Sequence, residues 1–201
     1  MSDEGPAQIG ELVAGRYEIV RLLGQGGMGA VYAAKQVSMD RMVALKLIRP
    51  QVAASTEIGK RFHREMQATS RIEHPNVIQV FDYGEDAGRL FLAMEFLAGK
   101  PLSKVIAESG TLPTGKLLHI AQQVTRALGA AHQVGIAHRD LKPDNVMVLE
   151  RYGEPDFVKV LDFGIARFLD DENQHGGVSC ACPMMSAVNV GPLNGGCPTA
   201  I

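Results

Sequence analysis

Asp140 and Asn145 stand five positions apart in His138-Arg139-Asp140-Leu141-Lys142-Pro143-Asp144-Asn145, a run that reads as a loop. Asp162-Phe163-Gly164 follows after a short hairpin-like segment. A carboxylate to hold a hydroxyl nucleophile, a second carboxylate for a hard cation and a neutral oxygen ligand beside it are the groups that phosphoryl transfer needs. Far upstream, Gly24-Gln25-Gly26-Gly27-Met28-Gly29-Ala30-Val31 spells Gly-x-Gly-x-x-Gly. Glycines there let a backbone approach a triphosphate and offer amide donors to its oxygens. Alone this spacing is weak, because glycines also serve turns and dinucleotide-binding folds. A dinucleotide fingerprint opens a helix in a parallel βαβ unit, whereas this one lies between two strand-like runs.

Lys46 sits in Val43-Ala44-Leu45-Lys46, on a strand that otherwise wants apolar residues. A half-buried lysine needs a partner, which is either a ligand phosphate or a carboxylate. Glu65 is one candidate: helical spacing puts it beside the inward Phe62/Met66 face. The alternative is a solvated glutamate among Arg61, His63 and Arg64.

The elements that must position these groups follow from periodicity. Tyr17–Leu23, Val31–Val37 and Met42–Ile48 read as strands joined by short turns, an antiparallel meander. Ser55 and Thr56 are N-cap candidates for a helix in which Ile58, Phe62, Met66, Thr69 and Ile72 share a face. His74-Pro75-Asn76 ends it, since proline disfavours helical geometry in the residue before it. Val77–Phe81 and Leu90–Met94 complete a five-stranded sheet. After Gly99 the signal turns helical: a short helix from Pro101 to Glu108, then a long one opened by Pro113. In the latter Leu117, Ala121, Val124, Leu128 and Ala131 keep step, and Gly135 is a plausible stop. Val146–Leu149 and Phe157–Leu161 form a hairpin flanking the Asp140 loop.

The 201 residues leave room for one or two domains, and 46% hydrophobic content with a net charge of -2 describes a soluble globular chain. That balance argues for neither a nucleic-acid nor an anionic-membrane partner. No apolar run has transmembrane length, and Met1-Ser2-Asp3-Glu4 does not begin a signal peptide, so a cytoplasmic location is expected. Cys180, Cys182 and Cys197 all lie near the end. One Cys-x-Cys with a distant partner lacks the paired spacing of a structural zinc site.

The ordered set of Gly24–Val31, Val43-Ala44-Leu45-Lys46, His138–Asn145 and Asp162-Phe163-Gly164 resembles the eukaryotic-like Ser/Thr protein kinases of bacteria. The resemblance implies an α+β, protein-kinase-like fold: a complete N-terminal sheet lobe with one helix, and a partial, mostly helical C-terminal lobe. The expected divisions are a leader over 1–14, an N-lobe over 15–98, a partial C-lobe over 99–173 and an irregular, non-kinase-like tail over 174–201. It further implies phosphorylation of Ser/Thr hydroxyls on proteins with ATP and Mg²⁺. Gly24, Gly26 and Gly29, with Gln25, Gly27 and Met28 in the same loop, would cover the phosphates. Lys46 would meet them, paired with Glu65. Met94 would be the gatekeeper and Glu95 to Leu97 the hinge, with Val31, Ala44 and Met147 around the base. Asp140 would orient the substrate hydroxyl, Lys142 would reach the transferring phosphate, and Asn145 and Asp162 would ligate the metal. Arg139 resembles the arginine that holds a phosphorylated loop, and His138 a packing residue.

The resemblance covers roughly Arg16 to Arg167. The family's activation segment, its closing Ala-Pro-Glu signature and its later helices are not readable beyond that point. The chain is therefore expected to be truncated after Asp162-Phe163-Gly164, with a tail like a shifted reading frame. Ser179 and Ser186 are not expected to dock on Arg139. With the later helices missing, apolar residues of the long helix should stay uncovered, giving marginal stability, self-association and weak activity. The alternative function is a non-catalytic nucleotide-binding fragment or interaction module.

Overall fold

The structure, a computed structural model, describes residues 7–26, 29–48, 56–151 and 153–163. The expected caps and signals at Ser55, Gly164–Arg167, Ser179, Ser186 and the three cysteines, and the 174–201 tail, lie outside the described residues, as do Gly27 and Met28.

The first lobe is an antiparallel sheet of β1 (Leu12–Val13), β2 (Tyr17–Gly26), β3 (Gly29–Gln36), β4 (Arg41–Ile48), β5 (Val80–Asp86) and β6 (Arg89–Glu95), in the order β1-β2-β3-β4-β6-β5. β4 is central and apolar on both faces. Successive side chains of a strand alternate between faces. Val43, Leu45 and Leu47 thus join Tyr17, Tyr32, Phe91 and Ala93 in one cluster. Ala44 and Ile48 join Phe62, Met66, Leu92 and Met94 in the other. The same alternation puts Lys46 on the Ala44 face, which α1 (Thr56–Thr69) covers with Phe62 and Met66.

The second lobe holds α2 (Leu102–Ser109), α3 (Thr114–Gln133) and a small sheet of β7 (Gly99–Pro101), β8 (Val146–Arg151) and β9 (Glu154–Val160) in that order. Ile120, Ala127 and Ala131 of α3 pack on Val146, Val148, Val158, Val160 and Phe163. Gly135, at a φ of 76°, follows the last turn, and Ile136 N–H closes it on Ala131 O at 2.9 Å. A left-handed residue at that place suits glycine. Leu117 and Leu118 are 51% and 58% exposed, as expected of an uncovered face, whereas Val124 and Leu128 pack partly on the core. Among the described residues no helix is long and apolar enough to cross a membrane.

The expected lobe pair is present, with local corrections. The leader does not run to 14: Leu12–Val13 pairs with β2, Val13 is buried, and Ala14 N–H donates to Asp86. The first sheet therefore has six strands, not five. Two residues are too few to display alternation. Val77 is not in β5; it makes a parallel bridge to Val160. The Asp140-side hairpin gains β7, which lies where the sequence signal turns from strand to helix. A Cβ on Gly99 would lie 2.5 Å from Val148 O, so glycine marks close approach of two strands there.

Candidate active site

Asp140 lies between β7–β9 and the end of α3, on a loop that a short 3₁₀ turn at Pro143–Asn145 closes. Asn145, buried, ties this loop together. Its Nδ2 donates to Asp140 O at 2.8 Å and to Asp140 Oδ2 at 3.1 Å, and its carbonyl accepts Leu161 N–H at 2.8 Å. Spending Nδ2 on Asp140 leaves Asn145 Oδ1 as the side chain's acceptor. Lys142 Nζ lies 2.8 Å from Asp140 Oδ2. That hydrogen bond is the main cause holding the Asp140 carboxyl below its usual range and raising Lys142; Asn145 and His138 also lower Asp140. Asp140 is thus an anion at neutral pH with its lone pairs aimed by two donors.

His138 is buried, its ring 4.7 Å from that of Phe163 and tilted 59° to it. Its Nε2 meets Leu161 O at 2.8 Å and its Nδ1 accepts Asp140 N–H at 3.3 Å. Both ring nitrogens are occupied by backbone, as suits the packing role expected of it.

Lys46 Nζ donates to both carboxylate oxygens of Asp162 at 3.0 Å. The pair is sheltered, with side chains 11% and 29% exposed. Asp162 adopts a φ of 57°, a left-handed conformation uncommon outside glycine. The Lys46–Glu65 pairing expected from sequence is therefore not the one made here. Glu65 is half-buried on α1 and lines a cavity of about 210 Å³ with Arg64 and Arg139. Helical spacing sets its face, while the left-handed turn at Asp162 is where the carboxylate that Lys46 takes is presented.

The glycine-rich loop spans the end of β2 and the start of β3, with Gly24 opposite Val31 and Val31 opposite Lys46. A Cβ on Gly29 would sit 2.0 Å from Leu47 O, so the protein's own packing requires glycine there. Gly24 and Gly26 face open space, with nothing within 4 Å. Gln25 pairs with Ala30 across the same hairpin. Val31, Leu97 and Leu161 pack against the cluster of Ala44 and Met94 at the lobe junction. Met147 is half-buried on β8, opposite Pro101 and Lys159.

At the junction itself, Glu95 N–H donates to Gln79 O at 3.0 Å. Its carboxylate accepts Gln79 N–H at 2.8 Å and buried Lys159 Nζ at 2.5 Å, and Lys159 also donates to Val77 O at 3.0 Å. Sequence reasoning missed Leu161 and Lys159. Lys159 interrupts the apolar run Phe157–Leu161 as Lys46 interrupts its own strand, so the same signal applied twice would have found it.

The residues fit Mg²⁺ and a nucleotide. Asn145 Oδ1 and the Asp162 carboxylate are hard oxygen donors, and Leu161 N–H on Asn145 O places them on adjacent segments. Among the described residues no three His, Cys, Asp or Glu side chains form a metal cage. Mg²⁺ is ordinarily held by one or two carboxylates plus substrate phosphates, so a sparse oxygen set is the appropriate one.

Comparison with known proteins gives three concordant results. The family described as protein kinase domain matches residues 17–188, running past the Arg167 where the readable motifs end. The serine/threonine-protein kinase pkn3 of Myxococcus xanthus is 43% identical over 181 residues, 87% of this chain and 33% of that protein. The serine/threonine-protein kinase PrkC of Bacillus subtilis is 40% identical over 161 residues, 80% of this chain and 24% of that protein. The chain thus spans a quarter to a third of the length of these relatives. The crystal structure of the Mycobacterium tuberculosis PknI kinase domain superposes with a TM-score of 0.71 at 36% identity, over 79% of this chain and 62% of that one.

Proposed function

The chain belongs to the protein kinase family, among relatives named serine/threonine-protein kinases, and we propose that it transfers the terminal phosphoryl group of ATP to Ser/Thr hydroxyls of proteins. The observation that carries this is the Asp140 carboxylate, held ionised by Lys142 and Asn145 beside a Lys46–Asp162 pair. Asp140 Oδ accepts the hydrogen bond of the substrate hydroxyl and orients its oxygen toward the phosphorus. Lys142, already on Asp140, neutralises charge on the phosphoryl oxygens. Asn145 Oδ1 and Asp162 would hold Mg²⁺, which would supply neutralisation of phosphate charge.

Lys46 would take the nucleotide phosphates, with Glu65 on α1 as the carboxylate proposed to steady its ammonium. Gly24 to Gly29, with Gln25, Gly27 and Met28, lie over the phosphates; the open space at Gly24 and Gly26 supports this. Val31, Ala44, Met94, Leu97 and Met147, joined by Leu161, take the adenine, with the Glu95–Leu97 backbone as its edge. A cytoplasmic setting, where ATP is abundant, follows for the chain's own reaction.

Incubation with γ-labelled ATP, Mg²⁺ and a generic protein tests the proposal against an Asp140→Asn control. Label should appear on serine or threonine and fall by roughly 10²–10⁴-fold in the control. ATP binding with no transfer above the control would overturn it in favour of a nucleotide-binding module.

A further inference from the structure

The inward face of α1 presents Phe62, Met66 and Thr69 at spacings of four and three. Phe62 and Met66 are 1% exposed and apolar. Thr69 is 6% exposed and carries the one hydroxyl of that face. A buried hydroxyl must find a partner, and a helical threonine has an easy one in the carbonyl four residues back. Thr125 on α3 does this, donating to Ala121 O at 2.8 Å. Thr69 does not. Its Oγ1 crosses to the other lobe and donates to Phe163 O at 3.3 Å.

The acceptor belongs to the residue after Asp162, which holds a left-handed φ of 57°. For a non-glycine residue that conformation is strained and persists only when its surroundings hold it. Two attachments do so. Lys46 holds the Asp162 carboxylate, and Thr69 holds the carbonyl just beyond it. The Lys46 attachment is released whenever the ammonium goes to a phosphate. Thr69 then remains on the backbone, supported by Phe163 packed on His138.

We propose that Thr69 is a positioning residue: its hydroxyl fixes the Phe163 carbonyl to α1 and thereby keeps the Asp162 carboxylate turned into the site for the metal. The role rests on the proposed function, in which Asp162 is a Mg²⁺ ligand. It also makes α1, which carries Glu65 one turn earlier, and the Asp162 segment move as one. A hydrophobic residue at 69 would fill the same space without this link.

The test titrates Mg²⁺ into the full chain at fixed ATP, reading nucleotide binding by calorimetry, for the wild type, Thr69→Val and Thr69→Ser. Valine keeps the shape and removes the hydroxyl; serine keeps the hydroxyl and removes the methyl. Thr69→Val should need roughly tenfold more Mg²⁺ for half-maximal binding, the value of one hydrogen bond. Its affinity for ATP without Mg²⁺ should stay within about twofold of wild type. Thr69→Ser should titrate like wild type even where the lost methyl lowers its melting temperature. If Thr69→Val also titrates like wild type, the positioning role is overturned while the Mg-ATP site stands. If Thr69→Ser shifts, in whichever state valine leaves the fold, packing rather than the hydroxyl is responsible and the role is again overturned. If the wild type shows no Mg²⁺-dependent binding, the proposed function fails and the role of Thr69 falls with it.

Discussion

Asn76→Ala should destabilise the chain far more than a loop substitution ordinarily does. Asn76 is 5% exposed, and its Nδ2 donates to Gln123 Oε1 at 2.9 Å and to Val158 O at 2.8 Å. Gln123 Oε1 in turn accepts Val158 N–H at 2.9 Å, and Gln123 Nε2 donates to Asp156 O at 2.9 Å. The outer edge of β9 is thus capped by two side chains, one from the loop after α1 and one from α3. The same loop pairs with the strand end through Val160 N–H on Asn76 O and Ile78 N–H on Val160 O. Truncation removes two bonds worth about 0.5–1.5 kcal/mol each and strands Val158 O, while Gln123 Oε1 keeps one donor. The sum is about 2–4 kcal/mol, or roughly 5–15 °C of melting temperature for a chain of this size. Urea unfolding of Asn76→Ala, Gln123→Ala and the double variant measures it. The two losses should be coupled by about 0.5–3 kcal/mol, because the groups share a bond. A loss below about 0.5 kcal/mol for Asn76→Ala, or strict additivity, would refute a cooperative buried network.

Two further outcomes follow from exposure and charge. His74 has its pKa lowered by burial first, then by the cations Arg126 and Lys159, so the folded chain keeps it neutral where the unfolded chain takes up a proton. Stability is therefore full above the unfolded value of about 6.5 and is lost as the pH falls from there toward the folded value. Denaturation midpoints between pH 7.5 and 5.5 should show this slope, and His74→Gln should flatten it. Leu117 and Leu118 on α3 are each more than half exposed, so Leu117→Gln with Leu118→Lys should change unfolding free energy by no more than about 0.5 kcal/mol per site. Hydrophobic-dye binding and self-association, followed by fluorescence and light scattering, should both fall.

Much of the candidate site was legible because the proposed chemistry demands residue types. Asp140, Asn145 and Asp162 stand out as oxygen donors at fixed spacing, and Lys46 as a charge in an apolar strand. β3, β4, α1 and α3 were legible because each runs long enough to show its period. β1 and β7 were not, since two or three residues carry no period and Pro101 reads as the start of a helix. In the structure Lys46 meets Asp162 rather than the expected Glu65, because periodicity fixes a helix face and not which of two acids a lysine takes. Asn76–Gln123 and Glu95–Lys159 join residues 47 and 64 positions apart, and no local spacing announces such pairs. Thr69 read as one more step of a helical stripe, its hydroxyl without evident purpose until Phe163 was beside it.

Titration of ATP into the folded chain, with and without Mg²⁺, is the most direct test of the site formed by Lys46, Asn145 and Asp162. The account predicts Mg²⁺-enhanced binding, weakened in Lys46→Met and made indifferent to Mg²⁺ in Asp162→Ala. Absence of nucleotide heat from folded protein, or the same Mg²⁺ response in Asp162→Ala as in wild type, would contradict it.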